Sequence, residues 1–415
     1  MMKATKYSKA SGTLFYSLIN ITYYMSFCAI HAFAAVYLLD KGFSNSIIGV
    51  LLAIANIFSA LLQPFVASLI DKYSHITNRG VSMLSAFILV LGAVILLMTG
   101  NITAVVFIVF TIMYMIQFTY MPVLTALSFE YRQKGTDIIF GLARGLGSAG
   151  FAIMSAFIGN LVEKKGVDCL LIASIIAGLI HILLLYLFKE PTSVNNDIST
   201  SDSSDTAEVS HSSTTDSCEA SLSLTGFIKT YPIFISLLAA TILLFFTHNM
   251  LNDYLIQIIR NIGGSETNLG LATFLAALLE LPAMTLVSLV SNKVSMRKLL
   301  ILSGIFFTVK SVIMLFAVNM FMVYLSQAMQ MFAYAVFIPA SAYFVGNNVA
   351  QKDQVKGQAL ITSCFTLSGV FSSLICGVIL DTKGVNTMLI TGVIISIIGT
   401  ITIIFSMLHK KPTAC

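Results

Sequence analysis

Gly159-Asn160-Leu161-Val162-Glu163-Lys164-Lys165-Gly166-Val167 returns later in the chain as Gly377-Val378-Ile379-Leu380-Asp381-Thr382-Lys383-Gly384-Val385, and this repeat decides the fold. Gly159 and the Lys165-Gly166-Val167 turn recur at an offset of 218 residues, and Pro64 recurs as Pro282 at the same offset. Pro122 recurs as Pro339; with a small drift, Gly49 matches Gly270 and Asp71-Lys72 matches Asn292-Lys293. The offset is close to half of the 415 residues, so the chain reads as two copies of one helical bundle. Two homologous membrane bundles facing each other across a midplane site form the plan of a secondary transporter.

Composition places both copies in lipid. Hydrophobic residues make up 57% and charged residues 10% of the chain, with a mean hydropathy of +0.91. Soluble domains carry about 25% charged residues, so an integral membrane protein is expected. The net charge of +5 is modest and its basic residues are spread along connecting loops, which argues against nucleic acid as a partner. The basic start (Lys3, Lys6, Lys9) runs into an apolar stretch reaching about Leu39, too long for a cleaved signal core and read as the first span. Six scattered cysteines suggest neither a disulfide framework nor a metal site, and no cofactor is called for.

Apolar runs of about 20 residues or more, the length that crosses a bilayer, cover 12–39, 44–70, 80–100, 102–129, 137–162, 167–188, 232–259, 267–291, 297–318, 320–348, 357–380 and 385–408. The fold class is therefore all-α, with twelve membrane helices in two bundles, 1–190 and 226–415. Between them, 191–225 is rich in Ser, Thr and Asp and too poor in apolar groups to bury a core, so a disordered linker is expected. Sixteen Lys and Arg fall on the side of the N-terminus, against Lys41, Lys164, Lys165, Arg260 and Lys383 on the other. That bias puts both termini and the linker in the cytoplasm of a multi-pass cytoplasmic-membrane protein. Six spans per half give the halves one orientation. The recurring prolines in spans two, four, eight and ten are expected to kink their helices. Small residues in span five (Gly141, Gly145, Gly147, Gly150) and span eleven (Ser363, Ser368, Gly369, Ser372, Ser373, Gly377) permit close helix contact.

Charges at membrane depth cost roughly 2.5–3.5 kcal/mol on insertion scales and should face a wet cavity or a partner. Four stand out: Arg144 in span five, Asp253 in span seven, Glu280 in span eight and Lys310 in span nine. Glu280 and Lys310 read either as a mutual ion pair holding the second bundle or as a proton-handling carboxylate with its counter-charge. Arg144 has no acidic partner in the spans of its own half, and a five-donor guanidinium suits the hydroxyl or carboxylate groups of a ligand. Asp253 sits in a polar cluster with His248, Asn249, Asn252 and Tyr254, either against the ligand or near the outer surface. His31, alone among Ala and Phe in span one, reads as packed, with proton exchange as the alternative.

Three stretches give the sequence a family likeness. Gln63-Pro64 followed by Asp71-Lys72, Phe140-Gly141-Leu142-Ala143-Arg144-Gly145-Leu146-Gly147-Ser148-Ala149-Gly150-Phe151, and Glu280-Leu281-Pro282 resemble, in turn, the span-two exit with its gating loop, span five and a span-eight motif of the lactose-permease-like group of the major facilitator superfamily. That group also includes nucleoside and phenylpropionate permeases. The resemblance implies that Arg144 hydrogen-bonds a sugar hydroxyl and that Phe151 stacks on its ring. It also puts Lys310 in the place of a span-nine arginine, and implies a working monomer. The sequence departs from the group elsewhere. Thr125 or Ala126 stands where its span-four carboxylate would, Gln330 and Ala333 stand where its span-ten His and Glu would, and Glu280 is about one turn displaced.

The expectation is a transporter moving a small polar solute, a sugar or glycoside, by alternating access with proton symport. A nucleoside or aromatic-acid permease of the same fold, or an uncoupled facilitator, is the alternative. Arg144, Phe151, Asn249, Asp253 and Gln330 are the candidate solute contacts, Glu280 and Lys310 the proton-coupling pair, and Asp71, Lys72, Asn292 and Lys293 the gating residues. The chain has no His-Glu-x-x-His stretch and no Gly-Lys dipeptide, so neither a zinc protease site nor a P-loop is encoded, and an enzyme is not expected.

Overall fold

The apolar runs fold as helices because a backbone in lipid must satisfy its own hydrogen bonds. In the computed structural model, residues 9–100, 103–136, 138–189, 224–290 and 294–408 are described. Asn292, Lys293 and residues 191–223 of the expected linker lie outside the described residues; residues 224 and 225 begin a short helix, Leu224–Thr230. The first half comprises α1 (Lys9–Phe27), α2 (Asn45–Lys72), α3 (Asn78–Thr99), α4 (Thr103–Gln133), α5 (Phe140–Lys165) and α6 (Asp168–Leu187). The second comprises α7 (Pro232–Asp253), α8 (Glu266–Val290), α9 (Met296–Leu315) and α10, whose parts Met320–Ala328 and Tyr334–Asn348 flank a 3-10 turn at Met329–Met331. The long stretch Gln354–Leu408 is broken at Gly384 (φ 78°, ψ 179°) into α11 (354–383) and α12 (385–408).

Eleven stretches among the described residues are long and apolar enough to cross a membrane, the last of them Gln351–Leu408 with 58 residues. Run straight, those 58 residues would reach about 87 Å, nearly three times a hydrocarbon core of about 30 Å. The break at Gly384, where the left-handed φ suits a residue without Cβ, makes it two crossings, so twelve spans are present.

Three expected spans are not single helices. Span one runs from α1 into a π-helical turn, Cys28–Ala32, and restarts at Ala34–Asp40 after Phe33 (φ −110°, ψ 14°). Span seven stops at Asp253 and restarts as Leu255–Asn261 after Tyr254 (φ −114°, ψ 23°). Span ten breaks at Met329–Met331. Hydropathy registers only that a run is apolar and is blind to a broken ladder inside it. At the prolines, by contrast, the helices run on without interruption. Pro122 lacks the N–H that would bond Phe118, and the Phe118 carbonyl accepts instead from Gln63 Nε2 at 3.2 Å.

In the first half α1 packs on α5 and α6, α3 on α4 and α6, and α2 on α4; in the second, α7 and α9 pack on the α11–α12 arms and α8 on α10. The halves meet along two seams, α2 with α11 and α5 with α8. Four glycines set these seams. A Cβ on Gly49 would lie 2.1 Å from the Ser373 carbonyl, and one on Gly377 2.5 Å from that of Asn45. A Cβ on Gly159 would lie 2.5 Å from the Glu266 carbonyl, and one on Gly270 2.3 Å from that of Ser155. All four are residues of the internal repeat, so the repeat preserves the places where backbone meets backbone. Both seams lie at the end of the molecule that carries the 41–44, 166–167, 262–265 and Gly384 connections.

Candidate functional site

Because the seams among the described residues join the halves at one end, a cavity of about 1250 Å³ lies between them. The first half contributes residues of α1, α4 and the Phe140–Phe151 part of α5; the second contributes α7, the 273–286 part of α8, and α10. Phe140–Leu142 and Met284–Leu286 lie far along α5 and α8 from the seams, so the cavity widens toward the opposite end of the molecule. That volume exceeds the roughly 300–1,000 Å³ of an enclosed ligand pocket, as a vestibule open at one end should.

All five residues expected to touch solute line this one cavity: Arg144 and Phe151 from the first half, Asn249, Asp253 and Gln330 from the second. The two on α5 are seven residues apart, about two turns, and so share its inner face. The Arg144 guanidinium sits over the Tyr24 ring at 4.3 Å and donates to Ser148 Oγ at 3.0 Å. It has no ion pair among the described residues, and stacking leaves the edge of the fork available. Asn249 Nδ2 donates to Ser368 Oγ on α11 (3.1 Å), while Asn252 Nδ2 contacts His248 Nε2 (3.0 Å). The His248 ring in turn stacks on Tyr334 at 4.7 Å. Asp253 lines the cavity where α7 ends rather than sitting at the outer surface.

Glu280 and Lys310, read from the sequence either as a mutual ion pair or as a proton-handling carboxylate with its counter-charge, do not touch directly. Gln330 lies between them, its amide oxygen accepting from Lys310 Nζ and its Nε2 donating to Glu280 Oε1. The 3-10 turn in α10 is what carries Gln330 there, and just beyond it the Ala333 carbonyl accepts both from Phe337 N (3.1 Å) and from Ser303 Oγ of α9 (2.6 Å). Lys310 is 1% exposed and stays behind the wall; Glu280 and Gln330 line the cavity. One amide therefore satisfies a buried ammonium and orients a carboxylate at once, since it offers both an acceptor and a donor.

His31, read from sequence as packed, both packs and lines the cavity. Its ring stacks on Phe27 at 4.0 Å and lies 3.7 Å from Tyr114 and 4.4 Å from Phe118. The π-helical turn carries it, and such bulges occur often at functional positions. Tyr24, Phe27, Tyr114 and Phe118 complete an aromatic wall that the sequence reading did not single out. Their i, i+3 and i, i+4 spacings, Tyr24-Phe27-His31 and Tyr114-Phe118, were the available signal. Gln327 on α10 also lines the cavity unremarked.

Asp71 and Lys72 lie exposed at the end of α2, on the open side. Neither makes an ion pair to the other half among the described residues, and Lys72 Nζ rests over the Tyr73 ring at 5.3 Å. No His, Cys, Asp and Glu grouping fit for a metal occurs among the described residues, and Cys28, Cys169, Cys364 and Cys376 are free and buried.

Among solved structures, the nucleoside transporter NupG is similar in fold. A point mutant of it has a TM-score of 0.77 at 12% identity, covering 96% of this chain and 100% of that one, and the unmutated protein a TM-score of 0.73 at 13%. A bacterial homolog of the human lysosomal transporter Spinster, inward-facing and unoccupied, aligns with a TM-score of 0.67 at 13% identity, covering 96% of this chain and 97% of its own. No curated protein sequence matches the chain. The MFS_1 like family matches residues 14–390. Its match across nearly every span, together with the twelve-helix plan and the fold likeness to known transporters, means that the chain belongs to the MFS_1 like family of the major facilitator superfamily.

Proposed function

We propose that this protein carries a small, ring-bearing polar solute, a sugar or glycoside, across the cytoplasmic membrane by alternating access. The observation that carries the reading is the two-sided cavity. One half presents an aromatic wall with the Arg144 fork, and the other presents amides and carboxylates at Asn249, Asp253, Glu280, Gln327 and Gln330. A pyranose has C–H faces suited to aromatic plates and hydroxyl edges suited to directional donors and acceptors. In this reading 1–190 and 226–415 move as two bodies joined by 191–225, and the charge bias of the loops turns the open end to the cytoplasm. Asp71, Lys72, Asn292 and Lys293 then act as the gate of that end.

Proton symport is carried by Glu280, which lines the cavity between the halves and accepts a bond from Gln330, so its exposure to water changes as the halves move. A carboxylate that alternates between a wet and a buried setting binds and releases a proton with the cycle. A nucleoside is the second reading, favoured by the same aromatic wall and by the nucleoside transporter among the similar folds. A thermal-shift screen of purified protein against sugars, glycosides, nucleosides and aromatic acids, followed by counterflow uptake of each hit in proteoliposomes, tests both. Saturable counterflow of a glycoside supports the first reading, and of a nucleoside alone the second. Absence of counterflow with every stabilising compound would refute solute transport at this site.

A further inference from the structure

The closed end holds a second piece of repeat symmetry. Asp381 at the end of α11 accepts four hydrogen bonds from the first turn of α2. Oδ1 takes Asn45 N (3.0 Å) and Asn45 Nδ2 (2.9 Å), and Oδ2 takes Ser46 N (2.7 Å) and Ser46 Oγ (2.6 Å). Its repeat partner, Glu163 at the end of α5, does the same to the first turn of α8, where Oε2 accepts from Ser265 Oγ (2.7 Å) and Thr267 N (3.2 Å). The two carboxylates are 218 residues apart, the offset of the repeat itself. Each comes from one half and caps a helix of the other. The first turn of a helix has unbonded N–H groups and the positive end of the helix dipole, so a carboxylate is the group that fits it.

Resting on the alternating-access reading above, we propose that Asp381 and Glu163 are a pair of latches that hold this end closed and must let go for it to open. The backbone contacts at Gly49–Ser373 and Gly159–Glu266 bring the helices close, but close packing of small residues has no direction. The carboxylate caps do: their bonds are satisfied only when α2 meets α11 and α5 meets α8 in this register. Both carboxylates are exposed, so water replaces the lost donors when the seam parts, and the latch is reversible. The two latches are unequal. Asp381 holds four donors against two for Glu163; its seam gains Gln257 Nε2 donating to Asn45 Oδ1 (2.9 Å), and the other gains Ser155 Oγ donating to the Gly270 carbonyl (3.0 Å). The α2–α11 seam is therefore the stronger of the two.

The test uses the full chain carrying Ala32→Cys, a cavity position next to His31 on the route to the closed end. An impermeant maleimide is added, in sealed vesicles of known orientation, on the side that the closed end faces, and modification of residue 32 is followed by peptide mass. Asp381→Asn should raise the labelling rate about fivefold or more, the size of an ordinary coupling between states. Glu163→Gln should raise it less, and the double variant by about the product of the two, because the seams share no partner. In the reverse arm, an oxidised Ser46→Cys/Asp381→Cys pair should abolish labelling and reduction should restore it. Wild-type labelling unchanged by either substitution, or persisting through the disulfide, overturns the latch while leaving alternating access intact. If residue 32 is never labelled from that side in any variant, the closed end does not open, and alternating access falls with the latch.

Discussion

Replacing Gln330 by leucine would isolate the amide that separates Lys310 from Glu280. The side chain keeps its approximate volume but loses the acceptor for Lys310 Nζ and the donor to Glu280 Oε1. Lys310 is 1% exposed and Gln330 6%, and among the described residues the ammonium has no other hydrogen-bond partner, so water cannot readily replace the lost acceptor. A hydrogen bond to a charged group contributes about 1.5–3 kcal/mol, and stripping a buried charge of its partner costs about 3–5 kcal/mol. The expected loss is therefore about 3–5 kcal/mol, most of it on the lysine side, since Glu280 borders the wet cavity and can be rehydrated. Adding Lys310→Met removes the orphaned charge, and the double variant should return to within about 1 kcal/mol of the wild type, because replacing both partners with apolar groups is often nearly neutral. The chain has no Trp, so unfolding by SDS in mixed micelles is best followed by circular dichroism. A Gln330→Leu variant as stable as wild type, or a double variant no more stable than the single, would refute the argument.

Three further outcomes are expected at the site and gates. Arg144→Lys keeps the charge and loses the fork over Tyr24, so solute affinity should fall about 10- to 100-fold, the value of one charged hydrogen bond. Phe151→Ala should weaken it and Phe151→Tyr leave it nearly intact; equilibrium binding to the counterflow substrate measures all three, and unchanged affinity in Arg144→Lys moves the site toward Asn249–Asp253. Glu280→Gln should abolish solute accumulation driven by a pH gradient yet retain exchange, whereas accumulation at the wild-type level would make the Gln330-bridged group purely structural. Asp71→Asn should slow net uptake while leaving solute binding from the closed side unchanged, since Asp71 lies exposed at the opposite end; equal loss of both would point to a folding defect.

The amino-acid sequence by itself determined that the chain is a membrane protein, that it has twelve spans, and that it is built as a repeat. Hydropathy, helix length and spacing are local properties, and a span of about 20 apolar residues has no alternative to a helix in lipid. It also located the odd charges, because a charge at membrane depth stands out against its apolar neighbours. Arg144, Asp253 and Glu280 do line the cavity. Only the tertiary structure decided what those charges touch. Lys310 and Glu280 are thirty residues apart in the chain, and nothing along it says that a 3-10 turn in α10 inserts Gln330 between them. His31 stood alone in its span, and its place on the cavity wall depends on a π-helical turn and on Tyr114 and Phe118 arriving from α4. Glu163 and Asp381 were visible in the repeated stretch as two carboxylates among lysines at span ends. Their donors come from the opposite half, 102–104 and 335–336 residues away. A pattern read along one helix cannot see a partner on another, because pairing across halves is fixed by how the two copies pack and not by the order of residues within either.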